Sequence, residues 1–292
     1  MIDKEILKRI RRIQITTSRM ATDVFAGQYK SIFKGKGMEF DEVREYQPGD
    51  EIRSIDWNVT ARMGHPYIKK FIEERELTIM LLLDKSLSNY FGTSTQLKSS
   101  LAAELCSVLA FSAIQNSDKV GLIVFTDKIE KFVPPRKGSK HVLRVIREAL
   151  YFKPKGTRTD IAGAISYLNR VTKRRTVTFV ISDFYDANYK KALSIANKRH
   201  DIIALTITDP RELELPNMGL VKMEDAETGE SFLIDTSSQE IRKLYKKNAA
   251  QKFNTRKGIF NSAAVDNIDI RTNVPYYKTL LKFFKMRERR IR

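Results

Sequence analysis

The sequence predicts an α/β fold built on a doubly wound, mostly parallel sheet. Two segments, Leu77 to Leu83 and Thr176 to Ile181, are uniformly apolar or β-branched, which is typical of central strands that helices cover on both faces. Strand-like and helix-like segments alternate from residue 77 to residue 254, which favours parallel strands joined by crossover helices. With 292 residues, of which 42% are hydrophobic, the chain is long enough to bury a large core.

The part of the chain before this alternation has a different texture. Residues from about Asp3 to Ser18 carry isoleucines on one face and basic residues on the other, which predicts an amphipathic helix. From Phe25 to Glu76, short extended segments are separated by glycine- and proline-containing turns. We therefore predict an N-terminal helix and β arm over residues 1–75, a main domain over residues 76–254 and a C-terminal strand and helix over residues 255–292.

Hydrophobic periodicity and turn residues place the other elements. Helices are predicted over Thr95 to Gln115, around Tyr189 to Lys198, and over a segment with Ile161, Ile165 and Leu168 on its buried face. Two more are predicted with caps: Ser139 caps a helix through Leu150, and Ser237 with Glu240 forms the capping box of a helix to about Phe253. Strands are predicted over Val120 to Phe125, Ile129 to Val133, Ile202 to Ile207 and Ile268 to Arg271, with a hairpin of Leu220 to Asp225 and Ser231 to Ile234. A basic helix with Leu280, Leu281 and Phe284 is predicted as the C-terminal helical extension.

Composition excludes several classes of protein. The single cysteine, Cys106, excludes disulfide frameworks and thiolate metal clusters, and its apolar neighbours predict a place in the core. The longest nearly uncharged apolar run, Leu101 to Ile114, contains Glu104 and is too short to cross a bilayer. The N-terminus lacks the apolar core of a signal peptide. We therefore expect a cytoplasmic protein.

The formal net charge is +18, and residues 236–292 alone hold 15 Lys and Arg against 4 Asp and Glu. A basic segment of this kind fits an acidic protein, an anionic lipid surface or RNA, and it is also common as a solvated face. Composition does not choose among these. Binding of nucleic acid or of an anionic membrane surface by the C-terminal segment is therefore the alternative function.

Oxygen-bearing side chains follow both central strands. Asp84, Ser86 and Ser88 come directly after the first strand, Asp183 ends the second, and Thr159 lies between them in a loop that opens a helix. Open α/β sheets bind ligands at the carboxyl ends of their strands, and hard oxygen donors suit Mg²⁺ or Mn²⁺. These five residues are the predicted metal ligands. Each of them alone also fits a turn or a helix cap.

Nothing in this set supplies a nucleophile or a general base. The sequence has no G-x-x-x-x-G-K-[ST] loop, no G-x-S-x-G elbow and no H-E-x-x-H motif, and its histidines, His65, His141 and His200, are far apart. One open position on the metal would instead accept a carboxylate from another molecule. We therefore expect a non-catalytic, metal-dependent binding module without a small-molecule substrate.

The order of these ligands resembles a known motif. Asp84-x-Ser86-x-Ser88, followed by Thr159 at a helix start and Asp183 after an apolar strand, resembles the metal-ion-dependent adhesion site of von Willebrand factor A-like domains. The segment Val43 to Trp57, continued by Thr60-Ala61-Arg62, is similar to the signature of the domain of unknown function 58 family, which joins such a segment to such a domain. The resemblance covers nearly the whole chain.

This resemblance implies a Rossmann-like, von Willebrand factor A-like sheet that binds Mg²⁺ or a similar ion. It also implies a partner, either a MoxR-type AAA+ ATPase or a client protein that offers a carboxylate to the metal. The implied role is that of an adaptor or co-chaperone in bacterial protein maturation or complex assembly. Two residues depart from the pattern: Leu87 replaces a frequent glycine, and Lys85 adds a positive charge beside the ion. A positive φ at Leu87 would strain the loop, and Lys85 would weaken metal binding unless it points away.

The signature segment alternates acidic and basic residues around the only tryptophan. One account is structural: ion pairs fix the N-terminal arm to the sheet, and a buried Trp57 anchors it. The other account is a docking surface for a partner. The alternation of charges within one segment favours the structural account. The residues concerned are Arg44, Asp50, Arg53, Asp56, Trp57 and Arg62.

Overall fold

The computed structural model describes residues 39–72, 77–93, 96–224 and 229–291. The predicted N-terminal helix and the predicted helix start at Thr95 lie outside these residues. In chain order the strands are β1 (Glu39–Glu45), β2 (Tyr67–Ile72), β3 (Thr78–Asp84), β4 (Lys119–Phe125), β5 (Ile129–Arg136), β6 (Val177–Ser182), β7 (Asp201–Thr208), β8 (Leu220–Glu224), β9 (Ser231–Asp235) and β10 (Asp266–Arg271). The helices are α1 (Trp57–Met63), α2 (Lys98–Gln115), α3 (Ser139–Tyr151), α4 (Ile161–Val171), α5 (Lys190–Arg199), α6 (Pro210–Leu213), α7 (Gln239–Ser262) and α8 (Tyr276–Ile291).

The main sheet has six strands in the order β10-β7-β6-β3-β4-β5. All neighbouring pairs are parallel except β4 and β5, which are antiparallel. The chain adds β4 and β5 on one side of β3, and β6, β7 and β10 on the other. The strand order therefore reverses at β3, and the carboxyl ends of β3 and its neighbours border the crevice where open α/β sheets bind ligands.

β3 shows why the sheet forms. Ile79, Leu81 and Leu83 pack on one face with residues of α2, α3 and α8, whereas Met80 and Leu82 pack on the other face with residues of α4, α5 and α7. All five side chains are buried, and complete burial of one such side chain contributes about 1.5–3 kcal/mol. Helices on both faces of a mostly parallel sheet confirm the predicted fold class.

The C-terminal part of the chain joins this core. β10 pairs with β7 as an edge strand of the main sheet, and α8 buries Leu280, Phe283 and Phe284 in the same cluster as β3. The predicted boundary after residue 254 falls inside α7, and the division into domains stays a prediction. In the part of the chain that the structure describes, no helix has the length and apolar character needed to cross a membrane.

Three predicted helix boundaries are wrong. α7 continues to Ser262 instead of ending at about Phe253, because the buried Phe260 extends its packed face beyond Gly258. Its N-cap is Ser238, whose hydroxyl accepts a hydrogen bond from the backbone N–H of Ile241, and not Ser237. At α3, Gly138 is the N-cap and Ser139 is already helical.

The N-terminal β arm is present as predicted, since β1 and β2 pair in antiparallel register. The expectation of a buried Trp57 is wrong: its side chain is 67% exposed. Trp57 is the first residue of α1, a single short helix whose residues are all exposed or half-buried. Asp56 precedes it as the N-cap and accepts hydrogen bonds from the backbone N–H groups of Asn58 and Val59.

The charged residues of the signature segment form pairs within the arm. Arg44 donates two hydrogen bonds to the Asp50 carboxylate, at 2.9 and 2.7 Å, and Lys69 lies 3.3 Å from Asp56. Arg53 and Arg62 are exposed. The internal pairing agrees with the structural account, but the pairs connect parts of the arm to each other instead of fixing it to the sheet.

Candidate functional site

The two predicted metal-binding carboxylates lie side by side at the carboxyl edge of the sheet. β3 and β6 are parallel neighbours, and Leu83 lies opposite Ile181. Asp84 and Asp183, which come just after these two residues, therefore lie at the same edge of the sheet. The Ser182 hydroxyl donates a hydrogen bond of 2.6 Å to Asp84 Oδ2, which ties the two strand ends together. Both carboxylates are completely buried.

The loop after β3 brings its two serines next to Asp84. The Ser86 backbone N–H donates to Asp84 Oδ1 at 2.9 Å, which turns the loop back over the strand end. The Ser86 and Ser88 hydroxyl oxygens are then 3.0 Å apart. Asn89 Nδ2 donates to Ser86 Oγ at 3.2 Å, and Asn89 Oδ1 is a buried oxygen without a hydrogen-bond partner among the described residues.

The loop with Thr159 reaches the same edge. The Leu87 backbone N–H donates to the Thr157 carbonyl at 3.0 Å, two residues before Thr159 in the chain. Thr159 is half-buried, and the N-cap of α4 is its neighbour Asp160, which accepts from the Gly163 N–H at 2.7 Å. The alternative that Thr159 caps this helix is therefore wrong.

Neither departure from the adhesion-site pattern distorts the loop. Leu87 begins a 3₁₀ turn, Leu87–Tyr90, which has negative φ angles that leucine adopts without strain. Lys85 is buried, and its charge acts on Cys106 of α2, where it partly opposes the burial that raises the pKa of that thiol to about 12. Strain occurs instead at Phe184, directly after Asp183, where φ is +58°.

The electrostatics of Asp84 favour a nearby cation. Burial, and then the charge of Asp183, raise the pKa of Asp84 to about 7, although hydrogen bonds from Ser182 and Ser86 oppose the shift. A positive charge beside Asp84 would stabilise its ionised form. A carboxylate next to two hydroxyls is also a hard donor set, which suits Mg²⁺ or Mn²⁺. In the described residues no three His, Cys, Asp or Glu side chains cluster as metal ligands, so the hydroxyls are essential to this fit.

Sequence reasoning missed one residue of the site, Lys98. It is the first residue of α2 and is completely buried, with Nζ 2.8 Å from Asp183 Oδ2 and 2.5 Å from Glu212 Oε1. Burial acts to lower the pKa of Lys98, but the charges of Asp183 and Glu212 outweigh it and raise the pKa, so the ammonium is charged at neutral pH. Only the apolar character of α2 around this lysine signalled an unusual environment in the sequence.

A cavity of about 970 Å³ adjoins these residues. Ser88 and Glu212 line it on the side of the site, and α7 contributes Tyr245, Lys252 and Arg256. Arg256 is itself tied to the site because its guanidinium donates to the Asp183 carbonyl at 2.9 Å. A segment of another molecule in this cavity would therefore lie next to the candidate ligands.

Comparison with known proteins identifies the family. The model of the family described as "Protein of unknown function DUF58" matches residues 42–255. The chain belongs to this family. The DUF58 chain is similar to the protein Rv1480 of Mycobacterium tuberculosis (strain ATCC 25618 / H37Rv), with 33% identity over 243 residues that cover 82% of this chain and 77% of the relative. The predicted family membership is confirmed.

Solved structures similar to this DUF58 chain include BatB from Bacteroides thetaiotaomicron, with 17% identity and a TM-score of 0.44 over 73% of this chain and 99% of that chain. The SpRpn10 VWA domain is similar at 12% identity, with a TM-score of 0.37 over 71% of this chain and 94% of that chain.

Proposed function

We propose that this DUF58 protein is a non-catalytic, metal-dependent protein-binding module. Its metal, Mg²⁺ or Mn²⁺, would be held by Asp84, Ser86, Ser88, Thr159 and Asp183. The proposal is supported above all by the hydroxyls of Ser86 and Ser88 beside the buried Asp84 carboxylate, at the sheet edge where ligands bind. When bound, the ion supplies a positive charge that attracts a carboxylate from a partner.

The cavity beside the site would hold the partner segment that carries this carboxylate. Lys252 is exposed on α7, with Nζ 5.4 Å from the ring centroid of Tyr185, so the wall of the cavity presents a positive charge over an aromatic surface. Tyr245 lines the same cavity, and its hydroxyl donates to the Arg211 carbonyl at 3.0 Å. An acidic segment with apolar or aromatic residues would suit this mixture of basic and aromatic groups.

The partner in this proposal is a MoxR-type AAA+ ATPase or a client protein of that ATPase. The chain would act as an adaptor or co-chaperone in protein maturation or complex assembly, in the cytoplasm. The proposal of this partner rests on the resemblance of the signature segment, Val43 to Trp57, and of the adhesion-site residues to their family patterns.

Several observations support a role without catalysis. The one thiol, Cys106, is buried in the core, and its raised pKa keeps it protonated at neutral pH. His200 lies at the start of β7, at the opposite end of the strands from Asp84. The groups nearest the candidate metal are hydroxyls, carboxylates and the paired Lys98, and the hydroxyls and carboxylates are hard oxygen donors for an ion.

The test is binding of the purified MoxR-type ATPase, measured by biolayer interferometry in Mg²⁺ and in EDTA. Asp84→Asn keeps a side chain of the same shape but removes the charge. Its amide oxygen can still accept from the Ser86 backbone N–H, and its amide NH₂ can donate to the Ser182 hydroxyl, which reverses that hydrogen bond. We expect this variant to lose affinity by at least about tenfold in Mg²⁺ and to become insensitive to EDTA. Asp127→Asn, an exposed aspartate near the same edge, is the matched control and keeps wild-type behaviour. Equal wild-type affinities in Mg²⁺ and EDTA would exclude the metal from the mechanism.

The alternative function of the basic C-terminal segment has weaker support. Arg287 forms ion pairs with Asp201 and Asp266, and Arg290 lies 3.1 Å from Asp266, so part of the basic charge of α8 is used within the fold. Deletion of this helix would also remove Leu280 from the core. Neutralisation of its exposed lysines is therefore the appropriate test of nucleic-acid or membrane binding.

A further inference from the structure

The candidate site contains a fixed positive charge in addition to its carboxylates. Lys98 is completely buried, and its ammonium bridges Asp183 Oδ2 at 2.8 Å and Glu212 Oε1 at 2.5 Å. Removal of an ammonium from water costs several kcal/mol unless strong partners compensate. Two carboxylates therefore hold this amine in place, and one of them is a predicted metal ligand.

The amine also changes what Asp183 can offer to an ion. Asp183 Oδ2 accepts from Lys98, and Asp183 Oδ1 accepts from the backbone N–H of Tyr185 at 3.2 Å. Both oxygens are thus engaged, and Lys98, which Asp183 shares with Glu212, offsets part of the negative charge of this carboxylate. By contrast, the hydrogen bonds that Asp84 accepts come from neutral groups, the Ser182 hydroxyl and the Ser86 backbone N–H.

We propose that Lys98 is a built-in monovalent cation of the site, which keeps its affinity for divalent ions weak. This inference rests on the proposed metal site. The ammonium neutralises part of the negative charge, so that the ion is held mainly by Asp84 and the two serine hydroxyls. A weakly bound ion would stay on the chain mainly when a partner carboxylate completes its coordination, which makes metal binding and partner binding mutually dependent.

The chain offers a set of variants that separates charge from structure. Lys98→Met keeps the length of the side chain and its helix-forming tendency but removes the positive charge. Glu212→Gln removes one negative charge, and its remaining oxygen can still accept from the Asp209 backbone N–H, as Glu212 Oε2 does at 2.8 Å. The double variant Lys98→Met/Glu212→Gln has the same net charge as the wild type without the ion pair.

The experiment measures Mn²⁺ binding to the four full-length chains without any partner, from the electron paramagnetic resonance signal of the free ion. We expect Lys98→Met to bind at least about tenfold more tightly than the wild type, since one repulsive unit charge is removed from a buried site. Glu212→Gln should bind more weakly than the wild type, and the double variant should return close to wild-type affinity. Thermal unfolding confirms that each chain is folded before it is titrated.

Three results would overturn the inference: a Lys98→Met affinity no higher than that of the wild type, a double variant as tight as Lys98→Met, or no Mn²⁺ binding by any of the chains. Glu212→Gln retains Lys98, so it tests the inference even if Lys98→Met does not fold. If Glu212→Gln binds Mn²⁺ with the wild-type affinity, the inference is also contradicted. If all four chains bind Mn²⁺ with the same affinity and the wild type binds its partner only in Mg²⁺, the role of Lys98 is rejected and the proposed function stands. If the Mn²⁺ affinities of the four chains follow the predicted order but partner binding does not depend on metal, the proposed function is rejected and the role of Lys98 stands.

Discussion

His200 makes the stability of the fold depend on pH in a way that can be worked out from its contacts. It follows α5 and is 1% exposed. Its Nδ1 lies 2.9 Å from Thr176 Oγ1 and accepts from the Thr176 backbone N–H at 3.3 Å, which requires an unprotonated nitrogen. Burial, followed by the positive charges of Arg199 and Arg175, lowers the pKa of His200 to about 4.

The sign and size of the effect follow from this shift. An unfolded histidine binds a proton below a pKa of about 6.5, whereas the folded protein resists protonation of His200 until about pH 4. Between these values the unfolded state binds more protons, so stability falls as the pH falls. The loss attributable to His200 is about 2 kcal/mol by pH 5 and about 3 kcal/mol over the whole window.

The assay is urea unfolding at pH 7 and pH 5. His200→Asn places an amide oxygen near the position of Nδ1, so it can accept from Thr176 but does not titrate. We expect the wild type to be the more stable chain at pH 7, and its advantage to shrink by about 2 kcal/mol at pH 5. His65→Asn, in an exposed turn, is the matched control and should show no such change. A stability difference between wild type and His200→Asn that is the same at both pH values would refute the reasoning.

Three further predictions concern the core, the cavity and the basic helix. Leu82→Ala should cost about 2–5 kcal/mol in urea unfolding, because its side chain is completely buried between the sheet and its helices; a cost below about 1 kcal/mol would contradict tight packing there. Lys252→Glu should weaken partner binding, most strongly at low salt, and unchanged affinity would remove the cavity from the binding surface. Replacement of the exposed Lys278, Lys282 and Lys285 by glutamine should leave partner binding unchanged, whereas loss of a steeply salt-dependent binding to RNA or anionic vesicles would support the alternative function.

The central strands could be predicted from the sequence because their signal is local. β3 and β6 differ from the predicted strands, Leu77 to Leu83 and Thr176 to Ile181, by one residue at each end. A strand covered on both faces must be apolar throughout, and few other structures of this length require that pattern. The position of Asp84 and Asp183 at one edge then follows from the parallel pairing.

Other features depend on contacts that distant parts of the chain create. The partners of Lys98 lie 85 and 114 residues away, so no local pattern identified this lysine as part of the site. The structural account of the signature segment predicts a buried Trp57 as the anchor of the arm, but no residue of α1 is buried. The predicted end of α7 is too early because Phe260 is buried by residues distant in the sequence, among them Phe184 and Tyr189, whose rings it contacts.

The late position of β10 in the sequence affects how the sheet is completed during synthesis. β7 is translated long before residues 266–271, and until then its outer backbone groups have no strand to pair with. An open strand edge readily recruits another chain, so the nascent protein carries an aggregation hazard until residues 266–271 have been translated and paired. A nonsense mutation shortly before residue 266 would make this transient exposure permanent, even though the candidate ligands would all have been translated.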